Sequence, residues 1–207
     1  MASTRAAKPA NQRLRIALLR IFSAVVALPL ILFTRSAWVD TEWLFASFRV
    51  AGILLVVLGV LGRFWAILYI GAAKNRGVMQ DGPYSVCRHP LYLFSTIGTL
   101  GLGFLLGSVV VAAFLGVAVF AILSATAARE EGFLRAEFGP AYVSYGARVP
   151  RILPRPQLYH SPATVLISIK ALRGNFADAL VFLGFIPLAE VLNAIKAAGL
   201  LPGLALY

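Results

Sequence analysis

Arg88, His89, Pro90 and Tyr92 stand directly ahead of a long apolar run, and the carboxylate pair Glu130–Glu131 begins 41 residues after His89. These residue types suit the binding of a ligand that carries both signs of charge. A guanidinium holds a carboxylate or phosphate, a carboxylate holds an ammonium or a pair of hydroxyls, and imidazole and phenol supply hydrogen bonds and flat faces. Each cluster alone also has a plainer reading: Arg88 snorkelling from a helix start, Pro90 as a helix starter, Tyr92 in an interfacial belt and the two glutamates as a solvated helix end. What favours a site is their order along the chain. A hairpin of two apolar helices separates the clusters and returns its far end to the side on which it began, so the clusters meet in space.

The elements that must bring them together follow from the apolar segments. A first span reads from about Ala17 to Phe33, with Pro29 near its outer end, and a short loop then carries Trp38, Asp40, Glu42 and Trp43. A second span reads from about Val50 to Ala72, where Gly62 and Ala66 let another helix approach closely. Residues 74–88 form a polar connector in which Gly82-Pro83 marks a turn. The third span (Leu91 to Leu106) and the fourth (Val109 to Ala127) are joined only by Gly107-Ser108, which demands an antiparallel pair. Ala128 to His160 is charged and punctuated by Pro140, Pro150, Pro154 and Pro156. Gly98, Gly101 and Gly103 read as helix-packing residues in preference to a Gly-x-Gly cofactor motif.

Composition sets the class. Of 207 residues, 60% are hydrophobic and only 13% charged, and the mean hydropathy is +0.84. Soluble domains carry about 25% charged residues. The expectation is an all-α integral membrane protein, a single domain over residues 1–207, with about four to five transmembrane helices, since each needs roughly 17–25 apolar residues. The net charge of +11 lies in the loops between apolar runs and not on one polar face, which points to membrane topology and not to nucleic acid. One cysteine, Cys87, and two histidines, His89 and His160, give no metal-ligand spacing.

Arg5, Lys8, Arg13 and Arg15 precede the first span without a small-x-small cleavage pattern after it, which reads as a retained anchor in preference to a signal or transit peptide. The same basic residues place the N-terminus, the connector with Arg88 and the segment with Arg135, Arg148, Arg151 and Arg155 in the cytoplasm, with Arg35 and Arg49 opposite. The tail, residues 160–207, reads either as a fifth span or as interfacial or re-entrant helices. The latter is preferred because Asp178, Glu190 and Pro187 interrupt it.

Gly82-Pro83-Tyr84, Arg88-His89-Pro90-x-Tyr92, the short hairpin, Glu130-Glu131-x-x-Leu134, Phe138-Gly139-x-x-Tyr142 and Val149-Pro150-Arg151 with Pro154 occur in an order that resembles the isoprenylcysteine carboxyl methyltransferase family, which is related to the integral-membrane phospholipid N-methyltransferases. The likeness covers about Gly59 to Pro154, within a methyltransferase core of about residues 50–155. It implies an S-adenosyl-L-methionine-dependent methyltransferase whose cofactor pocket lies at the cytosolic ends of membrane helices. It also implies roles: His89, Tyr92, Glu130 and Tyr84 at the cofactor, and Arg88 and Glu131 at the catalytic centre, with Arg88→Ala and Glu131→Ala each expected to abolish transfer without unfolding.

Arg63, within the second span, either snorkels to the cytosolic face or faces the pocket as a substrate-binding group, and Arg151 is a second candidate for the substrate. Methyl transfer from a sulfonium depends on positioning and the exclusion of water. The cationic residues favour an already ionised acceptor, such as the carboxylate of a lipidated or prenylated substrate or a lipid phosphate, whereas N-methylation of phosphatidylethanolamine would first require deprotonation of an amine. An NADPH-dependent sterol-type reductase and a non-enzymatic membrane scaffold are the rival readings. The partners expected are the bilayer and a lipid or prenylated substrate.

Overall fold

The computed structural model describes residues 21, 23–73, 77–201 and 204–207. The expectations that rest on residues 1–20, Lys74 and Arg76, which include the retained anchor and much of the basic count, lie outside the described residues. A π-helical turn (Ser23–Ala27) leads into α1 (Leu28–Phe33) and β1 (Thr34–Ser36). Then come α2 (Glu42–Ala73), α3 (Pro83–Val86), α4 (Pro90–Leu105), α5 (Val109–Phe138), α6 (Pro140–Arg148), a 3-10 turn (Pro156–Leu158), α7 (Ile169–Ala197) and β2 (Leu204–Leu206). Among the described residues, α2, α5 and α7 are long and apolar enough to cross a membrane, and α4 is a shorter apolar helix. The chain is thus an all-α, multi-pass integral membrane protein.

Glycine sets the distance between α2 and α4. A Cβ on Gly59 would stand 2.8 Å from the backbone of Gly98, and one on Gly101 would stand 2.8 Å from Gly52 O and Val56 N. Gly103 lies closer still to Ala112 of α5, where a Cβ would stand 2.2 Å from the Ala112 Cα. These contacts agree with helix packing as the role of the three glycines of α4. The α4–α5 join is as tight as its length demands: Gly107 adopts φ +71°, and Ser108 caps α5 by accepting from the Val111 amide at 3.2 Å. Gly107 also has no room for a side chain, because a Cβ would meet the Phe45 ring at 2.4 Å.

The tail differs from the preferred expectation. It forms one helix that runs antiparallel along α2, from Ala171 beside Gly71 to Glu190 paired with Arg49. The charges that interrupt the apolar pattern are matched internally: Asp178 pairs with Arg63 of α2, Glu190 with Arg49, and the buried Lys196 donates to the carbonyls of Ile31 and Thr34. Pro187 sits within the helix, as membrane helices tolerate. Beyond α7, β2 pairs in parallel with β1, and Ser36 and Ser108 bond to Gly107 O and Tyr207 O at 2.6 and 2.9 Å. This clamp fixes the hairpin end of the bundle. The opposite end carries the polar clusters.

Candidate active site

α4 begins at Pro90, and α5 returns to the same end with Glu130 and Glu131 on its last three turns. After α5, Gly139 turns the chain at φ +52° and Pro140 starts α6, which supplies Tyr142 and Tyr145. The segment that follows doubles back along the Gly82–His89 stretch. Arg88 N donates to Pro150 O at 2.9 Å, His89 N to Arg151 O at 3.0 Å, and Arg155 N to Val86 O at 2.9 Å. Backbone pairing therefore delivers Arg151 to Arg88 and His89, although neither residues 87–89 nor residues 149–155 are regular structure.

Glu131 is the hub of this arrangement, with its side chain only 2% exposed. Its Oε1 lies 3.0 Å from Arg88 Nη1, 3.0 Å from Arg151 Nε and 3.3 Å from His89 Nε2. Its Oε2 accepts from Arg151 Nη2 at 2.9 Å and lies 3.7 Å from Arg135. An ionised carboxylate only accepts, so His89 presents Nε2–H to it. Burying a lone charge is costly, and here the paired guanidiniums offset that cost. Gly146 leaves room for the arginine, since a Cβ there would stand 3.2 Å from Arg88 Nη1.

Glu130, one residue earlier on the helix, faces differently. It accepts from the Tyr92 hydroxyl at 2.7 Å and lines a cavity of about 1450 Å³ that extends between the helices. Tyr84, Arg88, His89, Tyr92 and Tyr142 line the same end. The rings of His89 and Tyr92 are parallel, with centroids 5.3 Å apart. Tyr145 donates to Tyr84 O at 2.7 Å and holds the α3 turn in place. Burial pushes the Tyr84 and Tyr145 phenols up, and it pushes the Cys87 thiol up to about 12. The phenols thus stay hydrogen-bond donors at neutral pH, and Cys87 is not a nucleophile there.

The structure accordingly brings together seven of the eight residues singled out in the sequence, and it separates them by position. Tyr84, Arg88, His89, Tyr92 and Glu130 line the cavity, whereas Glu131 and Arg151 stand behind Arg88 and His89. Arg63 lies apart from that group. It lines the cavity deeper in the bundle, where it donates to Ser95 Oγ at 2.7 Å and contacts Asn175 and Asp178 of α7. Sequence reasoning missed Asn175, which is buried on α7 within reach of Arg63. Its spacing from Asp178, three residues on one helix face, was the available signal.

Comparison with known proteins places the chain. A family model described as phospholipid methyltransferase matches residues 48–141, the stretch that holds the hairpin and both polar clusters. The nickel-cobalt-cadmium resistance protein NccN of Alcaligenes xylosoxydans xylosoxydans is 37% identical over 90% of this chain and 84% of its own length. The cobalt-zinc-cadmium resistance protein CzcN of Cupriavidus metallidurans is 36% identical over 91% and 86%. Protein-S-isoprenylcysteine O-methyltransferase B of Arabidopsis thaliana is 27% identical over 55% of this chain and 61% of its own. The chain belongs to the isoprenylcysteine carboxyl methyltransferase-like family. No solved structure matches it. In this family of membrane methyltransferases, the segment from Gly82 to Tyr92 and the pair Glu130–Glu131 are joined here by the Glu131 hub.

Proposed function

We propose that the chain is an S-adenosyl-L-methionine-dependent methyltransferase that acts on a lipid or lipidated acceptor, with its polar end on the cytoplasmic side. The observation that carries this reading is the set of Arg88, His89, Tyr92, Tyr84 and Glu130 at the mouth of a cavity that continues between membrane helices. Two buried polar atoms there, Tyr84 Oη and Arg88 Nε, have no hydrogen-bond partner among the described residues. A cofactor that offers a carboxylate, an ammonium, ribose hydroxyls and an aromatic base fits such a wall. Tyr84 would donate to its acceptor oxygens, His89, whose Nε2–H is given to Glu131, would accept at Nδ1 from its ammonium or a ribose hydroxyl, Glu130 would hold the same donors, and Tyr92 one face of the base. When bound, the cofactor supplies an electrophilic methyl group on sulfur.

The chain's own contribution is positioning. Glu131, itself held by Arg151, fixes the Arg88 guanidinium, which orients an anionic acceptor oxygen, and the tyrosines exclude water from the mouth. The three arginines at Glu131 outnumber that one carboxylate, which favours an ionised carboxylate or phosphate as the acceptor. Carboxyl O-methylation of the isoprenylcysteine type is therefore the first reading. Glu130 on the cavity wall favours a second, N-methylation of a phosphatidylethanolamine-like amine, because a carboxylate there can hold the ammonium.

NccN and CzcN are named for resistance to nickel, cobalt, cadmium and zinc. We assign any such contribution by this chain to methylation of a membrane component, because its thiol is buried and protonated and His89 is committed to Glu131. Cofactor binding tests the core of the reading. Purified protein should retain S-adenosylhomocysteine and ignore NADPH, and Tyr84→Phe should weaken retention about three- to tenfold. Retention of NADPH alone would move the chain to the reductase class.

A further inference from the structure

The cavity does not end at the Arg88 mouth. Ser95 lies three residues beyond Tyr92 on α4, about 4.5 Å deeper along the helix. There Arg63 of α2 donates to Ser95 Oγ at 2.7 Å, and its Nη2 lies 3.4 Å from Asn175 Oδ1 and 3.3 Å from Asp178 Oδ2. Arg63, Ser95, Asn175 and Asp178 all line the cavity, and beyond them its wall is apolar, with Leu102, Leu106 and Phe182.

The orientation of the Asn175 amide follows from its neighbour. A guanidinium only donates, so the amide turns its oxygen to Arg63 and its NH2 away. Asn175 is only 5% exposed, and its Nδ2 makes no hydrogen bond among the described residues. A buried donor on a cavity wall calls for an acceptor from whatever occupies the cavity. That acceptor is uncharged, because Asp178 already balances the charge of Arg63.

We propose that Asn175, oriented by Arg63, is a second recognition point for the acceptor substrate, one that binds a carbonyl oxygen at the junction of the reacting head group and the hydrocarbon chain. This deepens the methyltransferase reading and rests on it for the identity of the ligand. The carbonyl has two chemical sources: the ester of a glycerolipid or the amide of a lipidated cysteine. The C-terminal helix thereby takes part in substrate selection, and the charged face that resembled a break in a span is its functional face.

The test uses the full chain in nanodiscs of diether phosphatidylcholine, which offers no competing carbonyl. Binding is measured for two probe pairs: diester and diether phosphatidylethanolamine with a diazirine at the chain end, and N-acetyl-S-farnesylcysteine against S-farnesyl-3-thiopropionate, which lacks the amide. The carbonyl-bearing member of one pair is expected to bind about five- to tenfold tighter, with Asn175→Ala abolishing that preference while S-adenosylhomocysteine is still retained. A preference in the first pair assigns a glycerolipid, and one in the second assigns a lipidated cysteine. If Asn175→Ala does not fold, Asn175→Asp keeps an oxygen on Arg63, removes the donor and should likewise abolish the preference. Equal binding within both pairs by the wild type, or a preference that survives in the folded variant, overturns the proposal. Failure of the wild type to retain S-adenosylhomocysteine would instead remove the methyltransferase reading and leave the probe comparison intact.

Discussion

The two adjacent glutamates divide the labour at the site because one helix step turns them to different surroundings. Glu130 meets the cavity, and Glu131 is enclosed by Arg88, His89 and Arg151. This burial changes the expectation for Glu131→Ala. Removing the carboxylate would leave the largely buried Arg88 guanidinium without its counter-charge, at a cost of about 3–5 kcal/mol, so the alanine variant should lose stability as well as activity. Glu131→Gln keeps the shape and half of the hydrogen bonds. It should fold, with transfer reduced about a hundredfold or more, and thermal unfolding beside a transfer assay separates the two effects. Arg88→Lys should also be poorly active, since an ammonium cannot serve Glu131 and an acceptor oxygen in one plane. Most of these residues were legible as a motif because Gly82 to Tyr92 and Glu130–Glu131 are local in sequence. The role of Arg151 was not, because its approach to Glu131 depends on backbone bonds between two irregular segments. Asn175 was hidden for a related reason: among Lys170, Arg173 and Asp178 it reads as one more polar residue of a solvated helix start, and it signals a site only once Arg63 is known to lie opposite.

Among the elements, the hairpin and the glycine-bearing faces followed from spacing alone. Close contact between α2 and α4 is the feature most sensitive to substitution. Gly59→Val would force a side chain into the backbone of Gly98, and overpacking of this kind costs about 1–3 kcal/mol, readable as a lower melting temperature in detergent. In sequence Asp178 and Glu190 read as isolated charges that break the tail into short pieces, whereas each has an arginine of α2 opposite it and the helix is continuous. If α7 crosses the bilayer, its ends face opposite compartments. Cysteines introduced as Ser161→Cys and Ala198→Cys should then be labelled from opposite sides of oriented vesicles by an impermeant maleimide. Cys87 gives this experiment a silent background: it is fully buried with its thiol pushed up to about 12, so the folded wild type should remain unlabelled until denatured. Labelling of both positions from one side would return the tail to the interface.

For the molecule as a whole, the two ends of the bundle serve different purposes. One is closed by the β1–β2 pair, the capped Gly107 turn and the buried Lys196, and the other is held by the Glu131 hub around a cavity mouth. Between them the cavity leads from charged groups through the Arg63 cluster to hydrocarbon-like walls, the gradient that a lipid or lipidated acceptor itself presents. The measurement that tests this account most directly is transfer of labelled methyl from S-adenosyl-L-methionine by the protein reconstituted in lipid with a prenylcysteine panel, comparing wild type, Arg88→Ala and Glu131→Gln. The account predicts organic-soluble label that mild base releases as methanol if the acceptor is a carboxylate, or base-stable label if it is an amine or a phosphate, and in every case a loss of at least a hundredfold in both folded variants. Wild-type rates in either variant would contradict it.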